Sequence, residues 1–252
     1  GNDFSIIDAG ETWHDAEAPV MVLSMTGALS FLERLRARGG VSACFVPRIP
    51  EITVSRDKWD TLEKLQPAHE EAVKDLGFGW NNLWRAEQIH EDLVVQIPAE
   101  GVEGKIVEGA DGLVTCGTEG SLLGIYVADC AAVYICDCHT GALGLVHSGR
   151  RGTEQEIAVR ALEKMRAAYG SDPRNLEVAI SPCIRPPLYE VDFSSLIAEQ
   201  LIKAGIPSGQ IFSSGECTGA RVDRYYSYRV ERGKTGRMLA LLGRRINNTE
   251  PV

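Results

Sequence analysis

Short apolar runs separated by Gly and Asp dominate the middle of the chain, between residues 83 and 146. Runs of roughly four to eight apolar residues bounded by turn residues are typical of buried β-strands. We therefore predict strands at Leu83–His90, Leu93–Ile97, Gly112–Thr115, Leu122–Ala128, Ala131–Cys136 and Ala142–Val146. Later runs at Leu176–Ile180 and Met238–Leu242 predict two more strands. The pattern indicates a sheet-rich core.

Apolar residues at helical spacing flank this region. The segment Arg56–Leu76 predicts a helix interrupted at Pro67, because proline removes a backbone donor. Its predicted inward positions are Trp59, Leu62, Leu65 and Val73. The segment Ser194–Ala204 predicts another helix, which Gly205 ends.

A further helix is predicted after the last of the central strands. Thr153 and Glu156 have the T-x-x-E spacing of a capping box, so we expect a helix that begins near Gly152 and stops before Gly170. Strands and helices are mixed without a regular βαβ alternation, which favours an α+β fold. No internal repeat or long linker divides the chain, and we expect residues 1–252 to form a single domain.

Composition limits the classes of partner. The chain has 252 residues, of which 44% are hydrophobic and 24% charged, as in ordinary globular proteins. A net charge of -9 disfavours a nucleic-acid partner. The seven cysteines have no regular spacing, so we expect a reducing, cytoplasmic location rather than a disulfide framework. We expect no membrane partner, and the composition is compatible with a monomer but leaves the oligomeric state open.

Three separated residues suggest a metal centre. His90 lies in Q-I-H, Cys130 in A-D-C and His147 in H-S-G-R-R-G, each at the edge of a short apolar run. Each side chain can therefore project from the end of a strand into one pocket. Two imidazoles and one thiolate leave one position of a tetrahedral Zn²⁺ open, which suits catalysis better than a structural role.

Cys130 has two other interpretations. It can be a nucleophile that uses His147 or His90 as its base, as in cysteine hydrolases. It can also be a buried, inert thiol, which is the ordinary role of a single cysteine.

Motifs along most of the chain resemble those of a known family. They are Gly39–Ser42, Gln88–His90, Ala128–Cys130, His147–Gly152, Ser181–Arg185, Tyr189–Val191, Cys217–Thr218 and Arg224–Arg229. In this order they resemble the laccase-domain family, first described as multicopper polyphenol oxidases and now regarded as purine nucleoside phosphorylase-like enzymes.

The resemblance implies a fold and an activity. The fold would be a mixed β-sandwich flanked by helices, and the activity would be zinc-dependent phosphorolysis of adenosine or inosine, or deamination of adenosine, at His90, Cys130 and His147. The implied partners are a purine nucleoside and phosphate. A copper-binding polyphenol oxidase is the alternative, although the chain has only five histidines for a multicopper site. A non-catalytic nucleoside-binding homologue is a third hypothesis.

Arginines near the motifs are candidates for substrate or phosphate binding. Arg150 and Arg151 precede the predicted helix, where backbone N–H groups and guanidinium groups can bind phosphate together. Arg229 is a further candidate for the same pocket. Several residues depart from the family pattern, which puts the substrate in doubt more than the metal site; they are Ala37, Glu91, Arg150, Ser181 and Arg185. Arg36 or Arg38 can substitute for the arginine missing at Ala37.

Other polar residues have less specific interpretations. Asp129 can orient a ligand histidine or cap a turn. Cys183 and the Cys136–His139 segment are interpreted as packing or surface residues. His14 and His69 are expected to be solvated on the surface.

Overall fold

Two mixed β-sheets form the framework of the chain. The structure is a computed structural model that describes residues 30–98, 103–117 and 120–245. Within those ranges the strands are β1 (Val41–Val46), β2 (Leu83–Ala86), β3 (Val94–Gln96), β4 (Ile106–Val107), β5 (Gly112–Thr115), β6 (Leu122–Val127), β7 (Ala131–Asp137), β8 (Leu143–Ser148), β9 (Leu176–Ile180), β10 (Ile211–Ser213) and β11 (Met238–Arg244). The first sheet has the order β1-β11-β6-β2-β4, and the second has the order β10-β9-β7-β8-β5-β3.

Five α-helices pack against the two sheets in the described part of the chain, and three of them cover outer faces. The five are α1 (Glu33–Arg36), α2 (Lys58–Asp75), α3 (Arg150–Glu154), α4 (Ile157–Tyr169) and α5 (Phe193–Lys203). Side chains of α2 pack on the first sheet, and side chains of α4 and α5 pack on the second. The architecture confirms the α+β class and the helix-flanked sandwich in a single domain.

Strand β7 shows how the sequence pattern builds these layers. Its side chains alternate, so that Ala132 and Tyr134 enter the core between the sheets while Val133 and Ile135 pack against the helices. A strand buried on both faces needs an almost continuous apolar run, which is what the sequence has here.

Every predicted strand is present, and three strands were missed. The missed strands are β1, β4 and β10. Two of them have only two or three residues, and β1 contains a serine, Ser42, that interrupts its apolar run. The prediction at Leu83–His90 was too long, because Gln88 and His90 have φ angles of 64° and 65° and leave the extended conformation.

Helix α2 corrects several predictions. It continues through Pro67, which lies on its exposed side, where water can solvate the carbonyl that loses its donor. Leu65 and Val73 are buried as predicted, but Trp59 is 65% exposed and does not face inward. His69 was expected at the surface and is instead fully buried, with its ring 5.5 Å from that of Tyr126.

The helix predicted after β8 is two helices. The break falls at Glu156, whose φ of 58° and ψ of 41° place it in the left-handed region, so α3 ends before it and α4 begins after it. The predicted capping box does not form, because the Thr153 hydroxyl bonds that of Ser148 at 2.8 Å. The second helix ends at Gly170 as predicted.

Candidate metal centre and active-site cavity

His90, Cys130 and His147 converge, although each comes from a different part of the two sheets. His90 follows β2, Cys130 lies in the connection from β6 to β7, and His147 lies near the end of β8. Their potential ligand atoms all lie within 4.8 Å of one another. The two imidazole rings are perpendicular, with centroids 4.8 Å apart. Among the described residues this is the one group of three or more His, Cys, Asp or Glu side chains that could hold a metal ion.

A buried aspartate that the sequence analysis did not identify orients His147. The Nδ1 of His147 lies 2.8 Å from an oxygen of Asp111, and its backbone N–H donates to the Asp111 carbonyl at 2.7 Å. Because Nδ1 is engaged there, Nε2 is the ring nitrogen left to face Cys130. An imidazole that ligates a metal usually has its other nitrogen fixed by such a partner.

The same carboxylate shapes the loop that presents His90. Asp111 accepts hydrogen bonds from the backbone N–H groups of Ile89, His90 and Glu91 at 3.1, 3.0 and 2.9 Å. These bonds offset the cost of the left-handed backbone conformation at His90. One buried group therefore positions two of the three candidate ligands.

Gln88 of the Q-I-H motif has a structural role in this arrangement. Its side-chain carbonyl accepts the N–H of Tyr126 at 2.8 Å, and its NH₂ group donates to the carbonyl of the same residue. The amide thus ties the His90 loop to the end of β6.

Cys130 sits at a tight turn between the sheets. The preceding residue, Asp129, has a φ of 81°, and its carboxylate accepts hydrogen bonds from the Thr218 hydroxyl and the Arg229 N–H, both at 2.7 Å. Asp129 therefore holds two loops together, and the histidine-orienting role suggested for it belongs to Asp111. A Cβ atom on Gly149 would lie 2.8 Å from the Cys130 sulfur, so this position requires glycine.

The electrostatics favour a thiolate at Cys130. Burial opposes its charge, but His147 and His90 lower the pKa of the thiol to about 6. Burial likewise opposes charge on His147, whereas Cys130 and Asp111 raise its pKa to about 9. The donor set therefore fits a divalent cation, because the surroundings of Cys130 favour the thiolate and the cation can take the place of the proton on Nε2.

The three residues open onto a cavity of about 690 Å³. Its lining combines aromatic and apolar groups with cationic ones. The aromatic and aliphatic side chains are Tyr126, Ile184, Tyr189, Phe193 and Tyr228. The cationic side chains are Lys58, Arg150, Arg229, Arg232 and Arg237. A cavity of this size can enclose a small organic molecule.

The three predicted arginines have different surroundings. Arg150 lines the cavity but pairs with Glu154 at 3.1 Å and Glu190 at 2.6 Å. Arg229 lines it with its guanidinium 5.5 Å from the centre of the Tyr189 ring. Arg151 is not among the lining residues and pairs with Glu91 at 2.5 Å.

Other predicted residues lie away from the cavity. Arg38 pairs with the buried Glu177, and the Arg36 Nε donates to the Ala43 carbonyl at 2.8 Å. Neither lines the cavity. Arg185 is paired with Asp192 at 2.8 Å.

The seven cysteines are free thiols. Cys136 and Cys183 are buried and pack in the core, while Cys138 is exposed.

His14 lies outside the described residues. No helix in the described part of the chain is long and apolar enough to cross a membrane.

Sequence reasoning missed Asp111, Lys58 and Arg237 at this site. Asp111 stands before a predicted strand in A-D-G, a context that indicates only a turn. Lys58 begins α2, and Arg237 precedes β11, so each resembles an ordinary charged residue at the end of an element.

A family model described as multi-copper polyphenol oxidoreductase laccase matches residues 35–195 and 190–245. The chain belongs to this laccase family. The match covers every strand and helix named above except the first two residues of α1, Glu33 and Arg34. It therefore includes all three candidate ligands and Asp111.

Curated relatives and solved structures are similar to this chain. Purine nucleoside phosphorylase YlmD of Geobacillus stearothermophilus is 33% identical over 135 residues, which are 42% of this chain and 49% of that protein. A purine nucleoside phosphorylase of Staphylococcus epidermidis is 32% identical over 133 residues, again 42% and 49% of the two chains. The matched segment thus spans about half the length of these relatives.

The fold extends further than the sequence match. The crystal structure of YlmD from Geobacillus stearothermophilus superposes with a TM-score of 0.69 at 25% identity, covering 83% of this chain and 93% of that one. A Bacillus licheniformis hypothetical protein, YfiH, superposes with a TM-score of 0.71 at 23% identity, covering 81% and 93%. The second likeness concerns the fold alone.

Proposed function

We propose that this protein is an enzyme that acts on purine nucleosides, by phosphorolysis of adenosine or inosine or by deamination of adenosine. The observation that carries the proposal is the convergence of His90, Cys130 and His147 on a cavity of about 690 Å³ with an aromatic lining. The names of the relatives support the same substrate class.

We propose zinc as the metal, held by His90, Cys130 and His147. With two neutral imidazoles and one thiolate, bound zinc keeps a net charge near +1 and would supply Lewis acidity at the cavity. The chain's own contribution is positional. Asp111 fixes the His147 ring and the His90 backbone, and Gly149 leaves room for the Cys130 sulfur.

The aromatic lining is the proposed site for the purine. The centroids of the Tyr189 and Phe193 rings lie 5.3 Å apart, and Ile184 also lines the cavity. A planar base can bury its faces against such groups, which excludes water from the bond that breaks. Arg229, which contacts the Tyr189 ring, would then lie near the bound nucleoside.

The two reactions make different demands on the cavity. In phosphorolysis a phosphate oxygen forms a bond to C1′ while the bond to the purine nitrogen breaks, and the purine leaves with the electron pair and takes up a proton. In deamination water adds at C6 and ammonia leaves, which gives inosine. Cationic groups serve the first reaction directly, because the co-substrate is an anion. The role of Arg150, Arg151 and Arg229 in binding substrate or phosphate stays a prediction.

Product analysis tests the proposal. The purified protein is incubated with adenosine or inosine, with and without phosphate, and the products are separated by chromatography, with Cys130→Ala as the matched control. A free base and ribose 1-phosphate formed only with phosphate indicate phosphorolysis, and inosine formed without it indicates deamination. Absence of both products from zinc-loaded protein would refute the proposal, and nucleoside binding without turnover would favour a non-catalytic homologue.

One observation favours a second candidate, a cysteine nucleophile. Cys130, His147 and Asp111 form a thiol–imidazole–carboxylate series, with 2.8 Å between the His147 Nδ1 and the Asp111 oxygen. This is the arrangement of a nucleophile, its base and the group that orients the base. Activity that survives complete removal of metal but is lost on alkylation of Cys130 would support it. Phenol oxidation that requires stoichiometric copper would support the polyphenol oxidase alternative.

A further inference from the structure

Four of the five cations that line the cavity fall into two groups with different partners, and the fifth is the exposed Arg232. Arg150 and Arg229 lie beside Tyr189, and Arg150 already pairs with two glutamates. Lys58 and Arg237 form the second group: both line the cavity, and repulsion from Arg237 contributes to the lowered pKa of Lys58. Arg237 lies beside Tyr228, with its guanidinium 5.8 Å from the centre of that ring.

Lys58 and Arg237 form no ion pair with any described residue. Arg237 donates one hydrogen bond, to the Gly236 carbonyl at 2.8 Å, and Lys58 contacts the ring of Trp59. The carboxylate that lines the cavity, Asp129, has its two oxygens engaged by a hydroxyl and a backbone N–H. No carboxylate among the described residues therefore forms a direct ion pair with either cation.

The positions of Lys58 and Arg237 are electrostatically unfavourable for the folded state. Burial, followed by repulsion from Arg237, lowers the pKa of Lys58, while Glu87 and Asp111 partly offset the effect. Burial also lowers the pKa of Arg237, and Cys130, Tyr228 and Asp129 partly offset the effect. Two like charges that are partly withdrawn from water and form no direct ion pair destabilise a fold. A bound anionic ligand would offset the repulsion between the two cations and stabilise the folded state.

The position of the pair relates it to the candidate metal centre. Both residues line the same cavity as His90, Cys130 and His147. Arg237 is close enough to Cys130 for their charges to interact. An anion held between Lys58 and Arg237 would therefore border the reacting end of the cavity.

We propose that Lys58 and Arg237 form an anion-binding subsite that takes a phosphate dianion. A phosphate group is tetrahedral and carries about two negative charges, so the guanidinium of Arg237 and the ammonium of Lys58 can bind it together. This inference rests on the proposed function for the identity of the substrate but not for the existence of the subsite. The phosphate is either the free co-substrate or the 5′-phosphate of a purine nucleotide.

Calorimetric titration with three probes distinguishes these sources. Inorganic phosphate, adenosine and adenosine 5′-monophosphate are each titrated into the wild-type protein and into Lys58→Met, Arg237→Met and Lys64→Met. Lys64 is on the same helix but is exposed and paired with Asp60, so its substitution is the matched control. Lys58→Arg keeps the charge and should restore binding, which guards against a folding defect.

We expect either Met substitution at the pair to weaken phosphate binding by about 10- to 100-fold and to leave adenosine binding unchanged. Tighter binding of the nucleotide than of adenosine, lost in the same two variants, would assign the subsite to a 5′-phosphate. Wild-type affinity of both variants for both anions would overturn the proposal. So would a loss that appears only on substituting Arg150 or Arg229.

Turnover separates this inference from the proposed function. If the protein cleaves nucleosides but the KM for phosphate is unchanged in Lys58→Met and Arg237→Met, the subsite is wrong and the function stands. If no nucleoside reacts yet phosphate binding depends on these two residues, the subsite stands and the function is wrong.

Discussion

Replacing Asp111 by asparagine tests the central feature of the site. One carboxylate oxygen accepts from the His90 N–H and the His147 Nδ1, at 3.0 and 2.8 Å. The other accepts from the N–H groups of Ile89 and Glu91, at 3.1 and 2.9 Å. Because each oxygen faces two donors, the NH₂ group of an asparagine would oppose a pair of N–H groups in either orientation of the amide.

The number of hydrogen bonds lost sets the expected loss of stability. Two hydrogen bonds are lost and their donors stay buried, and each bond to a charged acceptor contributes about 1.5–3 kcal/mol. We therefore expect the free energy of unfolding to fall by about 3–6 kcal/mol, against a typical total of about 5–15 kcal/mol. The variant should fold at moderate temperature. Its metal affinity should fall about 10- to 100-fold, because the His147 ring and the His90 loop are no longer fixed.

Guanidinium unfolding and zinc competition with a chromogenic chelator measure the two effects. Asp137→Asn is the matched control, since Asp137 is equally buried but only its Oδ1 accepts backbone N–H groups, those of His139 and Thr140. The asparagine in this control can place its NH₂ group where Oδ2 was, which accepts no hydrogen bond. We therefore expect a smaller loss of unfolding free energy and normal zinc binding. Unchanged zinc affinity in Asp111→Asn, or equal destabilisation in the two variants, would refute the reasoning.

Three further substitutions have defined outcomes. Gly149→Ala places a Cβ 2.8 Å from the Cys130 sulfur and should reduce zinc loading, measured by atomic absorption, whereas Gly209→Ala, with no atom within 4 Å, should not. Gln88→Glu sets a carboxylate oxygen against a backbone carbonyl and should lower the melting temperature by several degrees and weaken zinc binding. For His69, burial lowers the pKa to about 4 from an unfolded value of 6.5, so the unfolded state binds more protons and stability falls as the pH drops below 6.5. Between pH 7 and 5 the free energy of unfolding should fall about 2 kcal/mol more in wild type than in His69→Leu, by urea titration at each pH.

Each of these has a contrary result. Equal zinc content in Gly149→Ala and wild type would mean that the sulfur moves freely. A wild-type melting curve for Gln88→Glu would show that the loop is held by Asp111 alone. Parallel pH profiles of wild type and His69→Leu would mean that His69 is protonated or solvated in the folded state.

Most of the longer elements and the three candidate ligands could be predicted from the sequence alone. A buried strand needs a run of apolar residues, and such a run can be recognised in the sequence without a structure. The runs that form β7 and β9 are examples. The ligands were recognisable because His90, Cys130 and His147 each stand at the end of such a run within a motif. The boundaries of the elements were predicted less accurately. Gln88 and Glu156 adopt the left-handed conformation, so a strand and a helix end near them although the apolar pattern continues.

Only the tertiary structure identified the partners of these ligands. Asp111 lies 36 positions from His147, and the two meet because β5 and β8 pair in one register. Lys58 and Arg237 are separated by most of the chain, and each looks like a solvated end of an element. Side-chain convergence depends on sheet register and turn conformation, and these arise from packing across the whole domain rather than from any local pattern.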